Sequence, residues 1–274
     1  MKSNKKSKVL ILDGGGSSLK AFVQTESGLK LKAKYKGNFN VQSGKREKIL
    51  RTISTAIQRF PAERVKIGLA GLISKKDKSR LVKALVGKKV SVMSDVDLAF
   101  EHCFQNGDGM LAILGTGSIF VAKAGRKKIR IGGYGRAIGD VGSGYAIGQE
   151  AARNYLELLD GFSSDSIFET AMKKIFRTKE DAIRKVYRER FELQHLAPVV
   201  FMCAEKGSTI ANEIIERQTS FVMRYIQMLR QRIGCDLPLC LTGGLLEHET
   251  QYVVRLKEKL NHLNINVHYL NGSS

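Results

Sequence analysis

The first residues of this chain that can do chemistry are an aspartate and a run of glycines behind a short apolar segment. Val9–Leu12 is followed directly by Asp13 and then by Gly14–Ser17. Because glycine has no Cβ, backbone N–H groups in such a turn can approach a phosphate closely. The carboxylate of Asp13 can hold Mg²⁺, which prefers one or two carboxylates together with the phosphates of a nucleotide. The segment predicts a strand that ends in a phosphate-binding turn, and an ordinary glycine-rich hairpin turn is the alternative.

Three further glycine clusters follow, each after or within a strand-like apolar run. They are Gly115–Ser118, the long cluster from Gly132 to Gly144, and Gly243–Gly244. Four such loops in one chain can surround one ligand.

The elements that must position these loops form two similar halves. In the first half, apolar alternation and turn residues predict the order βββαβαβα, with strands at 9–13, 19–24, 29–35, 65–69 and 90–93 and helices at 44–60, at 78–86 and from Asp95. Gly107–Gly109 marks a boundary, because three strands with glycine turns recur from Met110. Later segments predict helices at 143–160, through 162–232 and at 245–260, and strands at 238–242 and 265–269. We therefore expect an α/β protein with domains at residues 1–107 and 108–274, which enclose a cleft.

Composition excludes some classes of function. The chain has 274 residues, 43% of them hydrophobic, and no apolar run approaches the roughly 18 residues that a membrane span needs. The basic start Met1–Lys8 reads as a solvated tail, and we expect a cytoplasmic protein. The net charge is +20, but its lysines and arginines are spread along the chain, which favours solvated faces over a nucleic-acid site. The positive field would still attract anionic substrates.

The cluster Gly132-Gly133-Tyr134-Gly135, followed by Gly139-Asp140 and Gly142-Ser143-Gly144-Tyr145, resembles the sugar-side signature of a known family. This is the N-acetylglucosamine kinase and BadF/BadG/BcrA/BcrD-type ATPase branch of the hexokinase-actin superfamily. Asp13–Ser17 resembles its first phosphate motif, Gly115–Ser118 its second, and Leu241–Glu247 its adenosine motif, so the resemblance covers almost the whole chain. It implies two ribonuclease-H-like (actin-like ATPase) domains with a nucleotide and sugar cleft between them.

The resemblance implies that ATP and Mg²⁺ are bound and that the γ-phosphate goes to a sugar hydroxyl. Asp95 matches the catalytic base, and a carboxylate within reach of a hydroxyl can accept its proton as the phosphoryl group arrives. A helix N-cap is the alternative role for Asp95, since aspartate favours that position. Asp97, two positions along the same helix, would point elsewhere.

The remaining site residues are also implied by the resemblance. The nucleotide-binding set is Asp13, Gly14, Gly15, Gly16, Ser17, Gly115, Thr116, Gly117, Ala204, Gly243, Gly244 and Glu247, with Asp13 as the metal ligand. The sugar-binding set is Asn40, Asp95, Gly133, Tyr134, Gly135 and Asp140, with Asn38 in place of Asn40 if the alignment slips by two. The plainer alternatives make Tyr134 a core aromatic and Asp140 the cap of the next helix.

Three features depart from the family pattern. Val141 stands where the family has glutamate, and Ser17-Ser18 stands where it has threonine and lysine, so one positive group is lost. The sequence given ends at Asn271–Ser274, where relatives add a final helix, and its absence would loosen the hinge.

These residues predict an ATP-dependent kinase of an amino sugar, N-acetylglucosamine or a close relative. One alternative is an ATPase that activates a dehydratase, although Ile113-Leu114 stands where such proteins carry a cluster-binding cysteine. The other is a regulatory member of the fold that has lost turnover. The sequence leaves open which sugar and hydroxyl react, and also the oligomeric state, a homodimer included.

Overall fold

The computed structural model describes residues 8–25, 28–42, 45–72, 75–85, 89–105, 107–263 and 265–270. The chain forms two compact units that divide at residues 106–107. The predicted tail up to Ser7, the turn at Glu26–Ser27, the helix start at Gly44, the helix end at Val86 and the last residues 271–274 lie outside the described residues.

The first unit is built on a five-stranded mixed sheet with the order β3-β2-β1-β4-β5. Its strands are β1 (Val9–Gly14), β2 (Ser18–Thr25), β3 (Gly28–Lys36), β4 (Arg64–Leu69) and β5 (Lys89–Ser94). Strands β1 to β3 pair antiparallel, whereas β4 and β5 run parallel to β1. Its helices are α1 (Arg46–Arg59), α2 (Lys75–Ala84) and α3 (Asp95–Phe104).

Strand β1 is apolar on both faces because helices cover both. Leu10 and Leu12 share a buried cluster with Ile49 and Ile53 of α1. Residues on the opposite face pack with Leu98 of α3, namely Val9, Ile11 and Phe22. The first unit thus holds α3 against the face of the sheet that also carries Asp13.

The second unit repeats the same topology in a sheet with the order β10-β9-β6-β7-β8. Its strands are β6 (Gly109–Leu114), β7 (Ser118–Ala124), β8 (Lys127–Gly132), β9 (Leu239–Thr242) and β10 (Val267–Leu270). Its helices are α4 (Gly144–Leu159), α5 (Ser166–Lys173), α6 (Lys179–Ile183), α7 (Ala197–Glu205), α8 (Thr209–Ile233) and α9 (Gln251–Asn261). Among the described residues, no helix combines the length and the apolar character needed to cross a membrane.

Two helical predictions for the second unit need correction. The segment 162–232 is broken into α5 to α8, with a π-helical turn at Arg184–Arg188 and a 3-10 turn at Leu193–Leu196. The helix predicted at 245–260 begins only at Gln251, because Thr250 caps it and residues Gly244–Leu246 form a separate 3-10 turn.

Asp165 starts two helices of the second unit at once. Its carboxylate caps α5 by accepting from the Phe168 N–H, and it also accepts from the Ser208 hydroxyl and the Ile210 N–H at the start of α8. Burial alone would raise the pKa of Asp165, but these hydrogen bonds outweigh it and hold the pKa below its ordinary value.

We expect Asp165→Ala to lower the free energy of unfolding by about 2 kcal/mol, because the first turns of α5 and α8 both lose their acceptor. A lowered carboxyl pKa stabilises the fold above the unfolded-state pKa, and this contribution is lost as the pH falls through the folded pKa. Urea titrations should therefore separate wild type from the variant at pH 7 and bring them together in acid. Asp236→Ala, at an exposed pair with Arg230, is the control and should change little. An equal loss in both variants at pH 7 would contradict the prediction.

Candidate active site

Asp13 lies at the carboxyl end of β1, in register with Lys20 of β2 and Gly68 of β4. It is half-buried. Burial and then the charge of Asp95 raise the pKa of Asp13 to about 6, against the opposing charge of Lys20. Asp13 and Asp95 therefore lie close enough in the first unit for their carboxylates to interact.

The turn after Asp13 is closed by the Gly15 N–H, which donates to the Ser18 carbonyl at 2.9 Å. A Cβ on Gly14 would come within 2.6 Å of the Leu69 side chain, so this glycine serves close packing. A Cβ on Gly15 or on Gly16 would meet nothing within 4 Å. The side of the turn at Gly15 and Gly16 is open, as the approach of a phosphate requires.

Asp95 is the first residue of α3, and it is half-buried. Ser94 caps this helix by accepting from the Asp97 N–H at 3.0 Å, so the alternative role of Asp95 as N-cap is wrong. The Asp95 carboxylate accepts from the N–H of the next residue, Val96, at 2.9 Å. The parallel pairing of β1, β4 and β5 brings their carboxyl ends to one edge of the sheet. Asp95 follows β5 directly, so it lies at the same edge as Asp13.

Asn40 lies in a loop that is joined to the same edge by backbone hydrogen bonds. The Phe39 N–H donates to the Gly15 carbonyl at 2.9 Å, and the Val41 N–H donates to the Ala70 carbonyl at 2.8 Å. The Asn40 side chain occupies the space where a Cβ on Gly71 would stand, with its Oδ1 only 2.2 Å from that position. The first unit thus brings together Asp13, the open glycine turn, Asn40 and Asp95.

Asn38, the alternative to Asn40, makes a local contact in this loop. Its Oδ1 accepts from the Asn40 N–H at 2.9 Å. This bond helps to shape the loop that presents Asn40.

In the second unit, the Gly115–Gly117 turn lies against the start of α4. The N–H groups of Gly144 and Tyr145 donate to the carbonyls of Gly115 and Thr116 at 2.8 and 3.2 Å. Gly243 lies across the end of β6, and a Cβ added to it would stand 2.2 Å from the Leu114 carbonyl oxygen. The second phosphate motif and the adenosine motif are therefore adjacent.

Asp140 lies beside the Gly115–Gly117 turn. It is 9% exposed and adopts a left-handed backbone with φ of 59°. Burial raises the pKa of Asp140 above its ordinary value, although the N–H groups of Gly135 and Ser118 and the charge of Arg130 act in the other direction. Its Oδ2 lies 2.7 Å from where a Cβ on Gly117 would stand. The carboxylate thus contacts both the Gly115–Gly117 turn and the Gly133–Gly135 loop. Its remaining lone pairs can accept hydrogen bonds from ligand hydroxyls.

The alternative roles of Asp140 and Tyr134 are both wrong. Ser143 caps α4 by accepting from the Ala146 N–H at 3.1 Å, so Asp140 does not cap that helix. Tyr134 is 62% exposed and is therefore not a core aromatic. Its loop is held by Arg130, which donates to the Gly133 carbonyl at 2.6 Å.

The loop around Val141 is fixed by side chains that sequence reasoning missed. The Gly142 N–H donates to Gln218 Oε1 at 2.7 Å, and the Tyr252 hydroxyl donates to the Gly142 carbonyl at 2.7 Å. Gln218 is buried on the apolar face of α8, and that position of a polar residue is the signal that could have identified it.

Ala204 and Glu247 complete the predicted set. Ala204 is buried in the core of the second unit, on α7. Glu247 follows the 3-10 turn after Gly243 and is half-buried. The structure therefore gives Ala204 packing contacts, while Glu247 lies at the end of the 3-10 turn in the Leu241–Glu247 motif.

Comparisons with known proteins identify the family of this chain. The model of the BadF/BadG/BcrA/BcrD ATPase family matches residues 12–272. The N-acetylmuramic acid/N-acetylglucosamine kinase of Clostridium acetobutylicum is 29% identical over 92% of this chain and 90% of its own length. The N-acetyl-D-glucosamine kinase of Dictyostelium discoideum is 30% identical over 67% of this chain and 63% of its own length.

Solved structures share the fold. A protein from Chromobacterium violaceum, provisionally assigned as an N-acetylglucosamine kinase, superposes with a TM-score of 0.76 and 21% identity, covering 95% of this chain and 94% of that one. The α/β architecture of two actin-like domains predicted from the sequence is confirmed. The chain belongs to the BadF/BadG/BcrA/BcrD ATPase family.

Proposed function

We propose that this protein is a cytoplasmic ATP-dependent kinase that phosphorylates a hydroxyl of an amino sugar. Family membership supports the use of ATP, and the names of the relatives from Clostridium acetobutylicum and Dictyostelium discoideum support N-acetylglucosamine or N-acetylmuramic acid as the acceptor. The observation that carries the proposal is the pair of interacting carboxylates, Asp13 and Asp95, beside an open glycine turn.

Asp13 fits the role of a magnesium ligand. It is a half-buried carboxylate beside a second acid, an arrangement that a divalent cation stabilises by neutralising both charges. Bound Mg²⁺ would supply positive charge to the phosphates, and the N–H groups of the Gly15–Ser17 turn would orient them.

Asp95 fits the role of general base. In the proposed reaction the sugar oxygen forms a bond to the γ-phosphorus, the bond from that phosphorus to the bridging oxygen of ADP breaks, and the hydroxyl proton passes to the Asp95 carboxylate. Ser94 rather than Asp95 caps α3, and a carboxylate that accepts from the Val96 N–H has further lone pairs that can take up a proton. Asn40, at the same edge, would position the sugar.

The second unit would hold the rest of the nucleotide and the sugar. Gly115–Gly117 with the Thr116 hydroxyl would contact phosphates, and Gly243, Gly244 and Glu247 would contact the nucleoside. Tyr134 offers an exposed ring to the apolar face of a sugar, with Gly133 and Gly135 beside it. Asp140 would accept from sugar hydroxyls while it holds the phosphate turn. We propose no role in nucleic-acid binding for the basic surface.

The activity itself is tested by measuring ADP release with a panel of acceptors: N-acetylglucosamine, N-acetylmuramic acid, glucosamine and glucose. We expect release that depends on an amino sugar, and a higher melting temperature with Mg²⁺-ATP, because a ligand of the native state stabilises it. A higher melting temperature with Mg²⁺-ATP but no sugar-dependent ADP release would contradict the kinase proposal. It would favour an ATPase or a regulatory member of the fold.

We expect Asp95→Asn to lower kcat at least about 100-fold, within the usual range for loss of a general base. Binding of Mg²⁺-ATP should persist, since the first phosphate turn is unchanged. The matched control is Asp97→Asn on the same helix, which should keep kcat within about threefold because that side chain points away from Asp95. Equal losses in the two variants would remove Asp95 from the mechanism.

We expect Asp140→Asn to raise the KM for the sugar at least about tenfold, because a site built to pair with hydroxyls loses heavily when its acceptor is replaced. Asparagine retains one oxygen for the Ser118 and Gly135 N–H groups, so the affinity for a non-hydrolysable ATP analogue should change little. Steady-state ADP-release assays give the KM for the sugar, and calorimetric titration gives the affinity for the ATP analogue. Loss of nucleotide affinity with an unchanged sugar KM would make Asp140 a support of the phosphate turn alone.

A further inference from the structure

Gly68 stands between Asp13 and Asp95, the two acidic residues of the proposed site in the first unit. In the sheet register it pairs with Asp13 of β1 on one side and with Met93 of β5 on the other. Its φ is not among the positive values of the chain, so the backbone conformation does not require glycine here. Glycine within a strand interior weakens the strand, and a close approach of another backbone is one of the few reasons for it.

The close approach is made by the first turn of α3. A Cβ on Gly68 would lie 2.6 Å from Leu98 Cδ2, 2.8 Å from Leu98 Cβ and 3.3 Å from the Asp95 Cα. Two of these distances are shorter than packed carbon atoms adopt, and the third involves backbone. Leu98 is 2% exposed and packs against the face of β1 and β2 that holds Val9 and Phe22, so a shift of its side chain would disturb those contacts.

The bare backbone at Gly68 therefore sets how deeply the start of α3 lies on the sheet. Asp95 and Leu98 are three residues apart and share the face of α3 that is pressed onto β4. Asp13 is one strand away in the same register, and the interaction between its carboxylate and that of Asp95 agrees with this short separation.

We propose that Gly68 is a positioning residue whose missing side chain fixes the distance between Asp95 and Asp13. This inference rests on the proposed kinase activity, because the separation of base and metal ligand matters only if both act on one substrate. A side chain at position 68 lifts the first turn of α3 from the sheet and carries Asp95 away from the reacting hydroxyl. A displacement of about 1 Å in a reacting group can cost on the order of 100-fold in rate.

The test compares Gly68→Ala with Ile67→Ala, the matched control. Ile67 is the neighbour of Gly68 in β4, is fully buried and packs in the cluster on the other face of the sheet, so its truncation destabilises the unit without touching α3. Both variants should melt at lower temperature than wild type. Gly68→Ala should also lower kcat at least about tenfold with little change in the KM for ATP, whereas Ile67→Ala should keep kcat within about twofold. Equal kcat in the two variants at comparable loss of stability would overturn the proposal.

A second variant covers the case in which Gly68→Ala fails to fold. Leu98→Ala in the same chain removes Cδ2, the atom nearest to the added methyl group, so the double variant has room to fold. The Leu98 Cβ and the Asp95 Cα still confront the new side chain, and kcat of the double variant should remain below that of Leu98→Ala alone. Equal kcat in those two proteins would likewise overturn the proposal.

A readout that does not depend on turnover separates this inference from the proposed function. Crystal structures of wild type and of Gly68→Ala, or of the double variant if Gly68→Ala does not fold, give the distance between the Asp95 and Asp13 carboxylates. This distance should be longer in the variant than in wild type. If wild type transfers no phosphate to any acceptor, the kinase proposal fails and the measured distance still decides the role of Gly68 in placing α3. An unchanged distance would refute that role.

Discussion

The candidate site depends on one steric constraint, which is that bare backbone must stand where functional groups come close. In three places a predicted site residue lies close to the position that a glycine Cβ would take. Asn40 Oδ1 lies 2.2 Å from that position at Gly71, the Asp95 Cα lies 3.3 Å from it at Gly68, and Asp140 Oδ2 lies 2.7 Å from it at Gly117. Any side chain at these glycines would move a group that the proposed chemistry needs. The glycines therefore fix the positions of the polar groups, as well as shaping turns.

Two carboxylates of the proposed site also lie in partly dehydrated places. Burial raises the pKa of Asp13 and of Asp140, so the folded protein resists the ionised form at both positions. Asp165 shows the opposite arrangement, because hydrogen bonds at the start of two helices lower its pKa and stabilise the fold. A carboxylate whose pKa is raised by burial is expected at a site that binds cations or hydroxyls. A carboxylate whose pKa is lowered by hydrogen bonds within the fold contributes to stability. The direction of the pKa shift thus separates Asp13 and Asp140, which belong to the proposed site, from Asp165, which serves the fold.

Sequence reasoning succeeded where the signal is local. The glycine turn after β1, the start of α3 at Asp95 and the buried stripe of α8 from Ile215 to Ile233 all appear in the structure where residue patterns place them. It failed where a tertiary contact decides. Only the exposure of Tyr134 in the folded chain shows that it is a surface residue and not a core aromatic. Ser94 and Ser143 cap α3 and α4, although Asp95 and Asp140 nearby are residue types that also favour that position. Gly68 carries no local signal beyond an interrupted strand, because its role arises from a helix 27 positions further along that packs on it.

The repeated topology explains why the two units can take different parts with the same elements. Strand β4 of the first unit corresponds to β9 of the second, since each lies next to the first strand of its sheet. Glycines at the carboxyl ends of both strands admit a neighbour: Gly71 admits the side chain of Asn40, whereas Gly243 admits the backbone at Leu114. The first arrangement presents an amide and two carboxylates, which suit a metal and a hydroxyl acceptor. The arrangement in the second unit packs the backbone of Gly243 against that of Leu114, beside the Gly115 turn. Such a surface suits a flat, uncharged nucleoside, and the N–H groups of the turn suit its phosphates. The duplicated fold thus places a side chain against one glycine and backbone against the other, so corresponding strand ends present different groups.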